Sequence, residues 1–386
     1  MVIKIGVVSD LHCHSKANNH GKRDSYILTD EDLPLFQDPY KSFVHLVEKG
    51  ENLDVDILIM PGDFTNKACP DGLTKGFEIV TSINKLMNSK LLISNVGNHD
   101  VDSKALYDID PLKNLRNSIS SFPIDNKEFW SKGFYIKEFD LYRILIINTS
   151  HNHTNLINRD HGDISHESLM FIEEELQQIK DNKIGIAITH HCPIEHSHYN
   201  SGINDFMHNG DDLSKIIDKY NFKLLIHGHK HDPRIRNLQG GVNSPFIFSA
   251  GSFSAVQDKL LLGGTNTFHI ITMHVDGPHK GKGNIETWFF CTAKGWQKNI
   301  KNQYFETKVG FGAYIDLDEY VENIIKKLEL SPQKMCEWND LLKDFNSLNF
   351  LIPSDLEKLQ IKLKQKNVKS SPFTIGESIY LQYKEN

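Results

Sequence analysis

Short apolar runs punctuate the first two thirds of the chain: Ile5 to Val8, Ile57 to Met60, Leu91 to Val96, Ile144 to Ile147, Ile184 to Ile188 and Leu224 to Ile226. Their length and β-branched content predict buried strands. Between most of them apolar residues recur at helical spacing, as in Tyr40, Phe43, Val44 and Val47, then Leu73, Phe77, Val80 and Met87. Leu169, Ile172, Leu176 and Ile179 repeat the pattern, and so do Leu213, Ile216, Ile217 and Tyr220. This rhythm of strand and helix predicts an α/β fold with a parallel or mixed sheet. Beyond residue 240 the rhythm changes. Phe246 to Ser249, Phe268 to Val275 and Ile285 to Phe290 read as strands joined by Gly-rich turns, which predicts a second, antiparallel-leaning sheet. The expected architecture is a sandwich of two mixed β-sheets flanked by helices.

Two segments stand outside that pattern. Residues 13–39 are rich in Asn, Lys, Asp and His and lack a sustained apolar period, so they read as a long loop, either a lid or substrate wall or a plain insertion. From about Gln303 the sequence turns charged and helix-like, with apolar positions at Tyr320, Ile324, Leu328, Leu356, Leu359 and Leu363. A division follows into residues 1–302 and a C-terminal helical appendage, 303–386, whose apolar positions need cover from the rest of the chain or from a partner. Its lysines, including Lys358, Lys362, Lys364, Lys366 and Lys369, read first as a solvated helix face.

Composition narrows the class. A 386-residue chain with 39% hydrophobic and 24% charged residues, and no apolar run of membrane-spanning length, is expected to be globular and to lack a membrane anchor. The first strand begins almost at Met1, leaving no room for a signal peptide, so a cytoplasmic protein is expected. Five scattered cysteines without a C-x-x-C pair predict neither a disulfide framework nor a thiolate metal site. The formal charge of -7 argues against a protein that coats duplex nucleic acid.

The chemistry lies at the strand ends. Asp10-Leu11-His12, Gly62-Asp63, Gly97-Asn98-His99-Asp100, His190-His191 and Gly228-His229-Lys230-His231 each follow an apolar run. Ligands of open α/β sheets gather outside the carboxyl ends of the strands. Carboxylate, amide oxygen and imidazole together suit divalent first-row metals. Asp10 and His12, like His229 and His231, are two apart, which on an extended segment points both side chains to one side. Taken singly, each cluster has a structural reading as a turn, a helix cap or a hydrogen-bonded pair. All five in strand register point to one metal site.

These blocks, in this order, resemble the calcineurin-like metallophosphoesterases, whose D-x-H, G-D, G-N-H-[DE], H and G-H-x-H motifs are all present over most of residues 1–290. His161-Gly162-Asp163-Ile164 and Ser249-Ala250-Gly251-Ser252 fit as well. One departure is visible: the G-D block often continues to a second Asp, where this chain has the uncharged Asn66. The resemblance implies a metallophosphoesterase-type sandwich with two metals, one held by Asp10, His12, Asp63 and His231, the other by Asp63, Asn98, His190 and His229. Asp63 would bridge them, and His190 is preferred to His191 because it comes first after its strand.

Two ions about 3.5–4 Å apart lower the pKa of a shared water and neutralise phosphate oxygens. His99 is then the expected general acid, with Asp100 orienting its ring. Manganese is the expected metal, with iron, zinc or nickel compatible. The function favoured is a phosphodiesterase acting on a nucleotide-type small molecule or a nucleic-acid strand. A phosphomonoesterase, including a protein phosphatase, and a non-catalytic scaffold are the alternatives. The expected partner is a phosphoester substrate, without a membrane. A nucleic acid, and a second copy or another protein on the appendage, are further candidates.

Overall fold

The computed structural model describes residues 1–153, 161–179, 181–195, 207–238, 244–256, 265–298, 305–370 and 380–383. The expected boundary between residues 302 and 303 lies outside them. Two mixed sheets face each other. The first runs β12-β11-β10-β1-β2-β3, with β13 on a free stretch of β11. Its strands are β1 (Val2–Val7), β2 (Ile57–Met60), β3 (Leu91–Ser94), β10 (Thr267–His274), β11 (Gly283–Cys291), β12 (Gly295–Gln297) and β13 (Lys308–Phe311). The second runs β4-β5-β6-β7-β9-β8. It comprises β4 (Phe134–Glu138), β5 (Tyr142–Ile147), β6 (Ile184–Ile188), β7 (Phe222–His227), β8 (Arg234–Asn237) and β9 (Phe246–Ser249).

This assignment corrects the sequence reading in one respect. The late strands do not form a sheet of their own, because β10 pairs antiparallel with β1 and β9 pairs parallel with β7. The motif-bearing strands are therefore split, with β1, β2 and β3 in one sheet and β6 and β7 in the other. Apolar runs mark strands but carry no signal for which neighbour they pair with.

The period of two explains the layering. Ile144 and Ile146 of β5, Ile186 and Ile188 of β6, and Leu224 and Ile226 of β7 join the core that also holds Ile5, Val7, Ile57 and Ile59 of the facing sheet. Leu145, Ile147, Ala187, Leu225 and Ile247 point the other way, against α5 (His166–Gln178) and α6 (Gly210–Lys219). Strands apolar on both faces are what a parallel sheet covered on both sides requires. On the first sheet the covering helices are α1 (Pro39–Glu48) and α2 (Pro70–Leu86), which supply Phe43, Leu73, Ile79, Val80 and Ile83. Asp38 starts α1 by accepting from the backbone N–H groups of Tyr40 and Lys41, with Pro39 in the first turn. Short helices α3 (Lys113–Ser118) and α4 (Lys127–Lys132) lead into β4.

The C-terminal unit holds α7 (Leu317–Leu330), β14 (Met335–Glu337), α8 (Trp338–Asp344), α9 (Pro353–Gln365), β15 (Val368–Ser370) and β16 (Tyr380–Tyr383). Besides the expected helices it carries a three-stranded sheet in the order β14-β16-β15. Ile324, Leu328, Leu356, Leu359 and Leu363 form a core of their own with Trp338, Leu341 and Leu381, and Tyr320 packs at its edge. Cover for the apolar positions thus comes from within the unit. Phe350 and Ile352 tie it to the sandwich: the carbonyl of Phe350 accepts from Ala313 N–H at 3.1 Å, its ring lies on His279, and Ile352 enters the inter-sheet core. Among the described residues no helix is long and apolar enough to cross a membrane.

Candidate metal centre

Each motif begins one to three residues past the end of its strand, and the chain turns sharply there. Asp10, His12, Asp63, His229 and His231 all have left-handed backbone, with φ between 51° and 71°. Side chains other than glycine rarely adopt this region, and such strain persists where the surroundings over-determine it. Asp10 and His12 therefore reach the site from a coiled turn, not from the alternation of an extended strand, and the same holds for His229 and His231. Two glycines allow the loops to close. A Cβ on Gly97 would lie 2.1 Å from Asp63 Oδ1, and one on Gly228 would lie 2.5 Å from Asp10 Oδ2.

The side chains from both sheets converge. His12 Nε2 is 2.9 Å from His231 Nε2, and Asp10 Oδ1 is 3.3 Å from His231 Nε2 and 3.8 Å from His12 Nε2. On the other side, Asn98 Oδ1 lies 3.1 Å from both His190 Nε2 and His229 Nδ1. Asp63 stands between the two groups. Its Oδ2 is 3.4 Å from His12 Nε2 and 3.3 Å from His190 Nε2, while its Oδ1 accepts the backbone N–H of His99 at 2.9 Å. All seven residues expected to hold metal are brought together. His191 is also near: its Nδ1 is engaged by Thr149 Oγ1 at 2.9 Å, while its buried Nε2 has no hydrogen-bond partner among the described residues and the ring lies within ligand range of His190 and His229.

The electrostatics fit a cation. Burial opposes ionisation of Asp10, yet the rings of His12 and His231 hold its carboxyl well below the usual range. Asp63 is likewise lowered against its burial, chiefly by His190 and then by His99 and His12. In turn His190, although buried, is raised to about 9 by Asp63. The buried Asp63 carboxylate thus favours the protonated form of the His190 ring. A divalent ion can replace that proton, because metal ligation requires ionised carboxylates and neutral imidazoles. Hard oxygen and imidazole nitrogen, without thiolate, match manganese, iron, zinc or nickel. Cys13 and Cys192 are fully buried packing groups, and burial pushes the Cys192 thiol up to about 12.

The expected pairing of Asp100 with the His99 ring is not found. The Asp100 carboxylate accepts backbone N–H groups from Asp63 at 2.8 Å, Gly97 at 2.9 Å and Thr65 at 3.1 Å. It pins the two motif loops together and does not touch the His99 ring. Burial beside Asp63 pushes it up to about 7. The ring partner is instead Asn66, whose Oδ1 is 2.8 Å from His99 Nδ1. Burial pushes His99 down to about 3, against the pull of Asp63. A cavity of about 230 Å³ opens beside this ring, lined by Lys67, Asn98, His99, Lys104 and Leu106 among others.

Residues 3–233 match the family model described as calcineurin-like phosphoesterase. The chain belongs to this family. A second model, described as wHTH-Calcineurin_assc, matches residues 309–365. That winged helix-turn-helix match spans α7, β14, α8 and α9 and ends just before β15 and β16. Among solved structures, a purple acid phosphatase from yellow lupin (Lupinus luteus) seeds is 16% identical, with a TM-score of 0.51 over 80% of this chain and 53% of that one. The chain thus spans about half the length of that phosphatase, and the likeness shows the fold. A single mutant of Vps29 from Entamoeba histolytica (10% identical, TM-score 0.32, 76% and 96% covered) and GAP50 of Plasmodium (11%, 0.40, 76% and 86%) are also similar. No curated protein matches.

Sequence reasoning missed how the chain supports its motifs from outside them. Asp24, in the insertion, accepts from Asn66 Nδ2 at 2.9 Å and from Asn19 Nδ2 at 2.8 Å, and lies 3.3 Å from Lys67 Nζ. Burial raises its pKa, but Asn19, Lys67 and Asn66 together lower it. Tyr26 N–H bonds Ser254 and Ser25 Oγ bonds Leu11, so the insertion is anchored on the loops that carry the site. A polar loop holds no periodic signal that would have marked Asp24.

Proposed function

We propose that the protein is a phosphodiesterase dependent on two divalent metal ions, manganese by preference. One ion is held by Asp10, His12, Asp63 and His231, the other by Asp63, Asn98, His190 and His229. The observation that carries this reading is the single oxygen Oδ2 of Asp63, within 3.4 Å of ring nitrogens from both groups while Oδ1 is occupied by a backbone N–H. When bound, the pair of ions activates a water and neutralises phosphate charge during in-line displacement. The chain's own residues do the rest. Asp100 holds the loops of Asp63 and Asn98 in register. His99 keeps Nδ1 on Asn66 and gives a proton from Nε2 to the departing oxygen, and an anionic phosphate beside the ring opposes the burial that disfavours its charged form.

A diester is favoured because the cavity beside His99 sets Lys67 and Lys104 beside apolar Val101 and Leu106, with Asp102 also in its lining, an arrangement suited to an organic leaving group with further polar or charged atoms. A nucleotide-type molecule or a nucleic-acid strand has that character. Residues 1–302 are assigned the chemistry. The winged unit is assigned to contact with a nucleic acid, another protein or a second copy. Lys358 and Lys364 of α9, and Lys366 just past its end, are exposed, on the helix that in helix-turn-helix proteins enters the major groove. Five free thiols suit a reducing cytoplasm.

The test is a panel of bis-p-nitrophenyl phosphate, p-nitrophenyl phosphate, cyclic nucleotides and single- and double-stranded nucleic acids, each with manganese. Faster turnover of diesters supports the reading. Preference for the monoester would replace it with a phosphomonoesterase, and no hydrolysis of any member would favour a scaffold.

A further inference from the structure

We infer that Asp24, from the insertion between β1 and α1, is a positioning residue for His99, because it fixes which side of the Asn66 amide the ring meets. This rests on the reading of His99 as the proton donor. An amide is two-faced: its oxygen accepts and its nitrogen donates, and the two ends have nearly the same shape. A carboxylate can only accept. With Asp24 Oδ2 2.9 Å from the Asn66 side chain, the nitrogen end must turn to Asp24 and the oxygen end to His99 Nδ1, 2.8 Å away. That oxygen demands a hydrogen on Nδ1. Lys67 N–H also lies 3.4 Å from Nδ1, but a bond there needs a bare nitrogen, and the shorter contact decides the tautomer. Nε2 is then the nitrogen that gains and gives the proton.

Without Asp24 the amide is free to rotate and present its N–H groups to His99. Two donors, the Asn66 N–H and the ring Nδ1–H, would then face each other, and the ring would lose the contact that orients it. An aspartate at position 66 would need no such help. In this chain Asn66 stands there, and the carboxylate sits one hydrogen bond further out. Asp24 is itself held in place, since Lys67 Nζ bridges from it to Asn19 Oδ1 at 2.8 Å, and Asn19 Nδ2 returns to Asp24. Its side chain is 40% exposed, so an isosteric change there leaves no cavity.

The experiment compares turnover of bis-p-nitrophenyl phosphate, whose leaving group needs no proton, with diphenyl phosphate, whose leaving group does. Asp24→Asn is expected to lower kcat on diphenyl phosphate about tenfold, the equivalent of one hydrogen bond, with KM and bound metal unchanged and little loss on the nitrophenyl ester. In the double variant Asp24→Asn with Asn66→Asp, position 24 donates and position 66 accepts, so turnover of diphenyl phosphate should recover. Equal loss on both esters, or no recovery in the double variant, would overturn the inference. His99→Gln, assayed alongside, separates the two levels. If His99→Gln loses both esters equally, the proton-donor reading fails; if it is selective and Asp24→Asn is not, only the role of Asp24 fails. Nitrogen chemical shifts of His99 in the unsubstituted protein give an answer independent of any variant's folding: a protonated Nδ1 supports the inference, and a bare one overturns it.

Discussion

His99 Nδ1 lies 2.8 Å from Asn66 Oδ1, while the carboxylate of Asp100, its neighbour in sequence, is turned to the backbone of both motif loops. The two residues of one motif therefore have different duties. Asp100→Ala is expected to leave three buried N–H groups without an acceptor, each costing about 1–3 kcal/mol. Thermal unfolding and metal analysis should show a lower Tm together with weaker metal retention. A loss confined to substrates with poor leaving groups, at unchanged Tm, would return Asp100 to the role of ring partner.

For His99 the expectation is the reverse. His99→Gln should keep its metal and its Tm, and lose about 10²–10⁴-fold in kcat on diphenyl phosphate, with a smaller loss on bis-p-nitrophenyl phosphate. Steady-state kinetics on the two esters, with elemental analysis of the same samples, checks both halves.

Glu306 gives a prediction with a defined pH sign. Its Oε2 is buried without a hydrogen-bond partner among the described residues, and burial pushes the group from 4.5 up to about 7. A carboxyl raised in the folded state contributes stability fully below its unfolded pKa, and that contribution is lost as pH rises through the folded value. Glu306→Gln should therefore match the unsubstituted protein in Tm near pH 4 and exceed it near pH 8. A constant difference across that range would show that Glu306 does not titrate abnormally.

The winged unit has its own core, so a cavity there should act locally. Leu359→Ala removes a fully buried side chain and is expected to cost about 2–5 kcal/mol within that unit. Calorimetry should show it melting earlier while bis-p-nitrophenyl phosphate is still hydrolysed at the original rate. Deleting 304–386 is a harsher change, because it also removes β13, whose Val309 and Phe311 belong to the inter-sheet core. That truncated chain should be less soluble and melt lower.

Strands and motif order were legible because a buried parallel strand is a run of apolar residues, and its polar end stands out: Ile57–Met60 before Asp63 and Ile184–Ile188 before His190 are read directly. Sheet membership was not legible. Thr267–His274 lies beside Val2–Val7 across most of the chain, and long-range pairing leaves no local mark. The left-handed turns at Asp10, His12, His229 and His231 were hidden too, since those residue types do not announce positive φ as glycine would. The C-terminal sheet escaped notice because β14 and β15 are three residues each, too short for alternation to show. Asn66 was visible as an oddity, but its meaning needed Asp24, 42 residues away.

The most direct measurement of the account is metal stoichiometry against hydrolysis in the protein and in Asp63→Asn. The unsubstituted protein, loaded with manganese, should hold about two ions per chain and hydrolyse bis-p-nitrophenyl phosphate, losing both properties in EDTA and regaining them when manganese is restored. Asp63→Asn should fail to retain the pair and fall to background turnover. Full activity in excess EDTA, or an Asp63→Asn protein that keeps both ions and its rate, would contradict a centre bridged by Asp63.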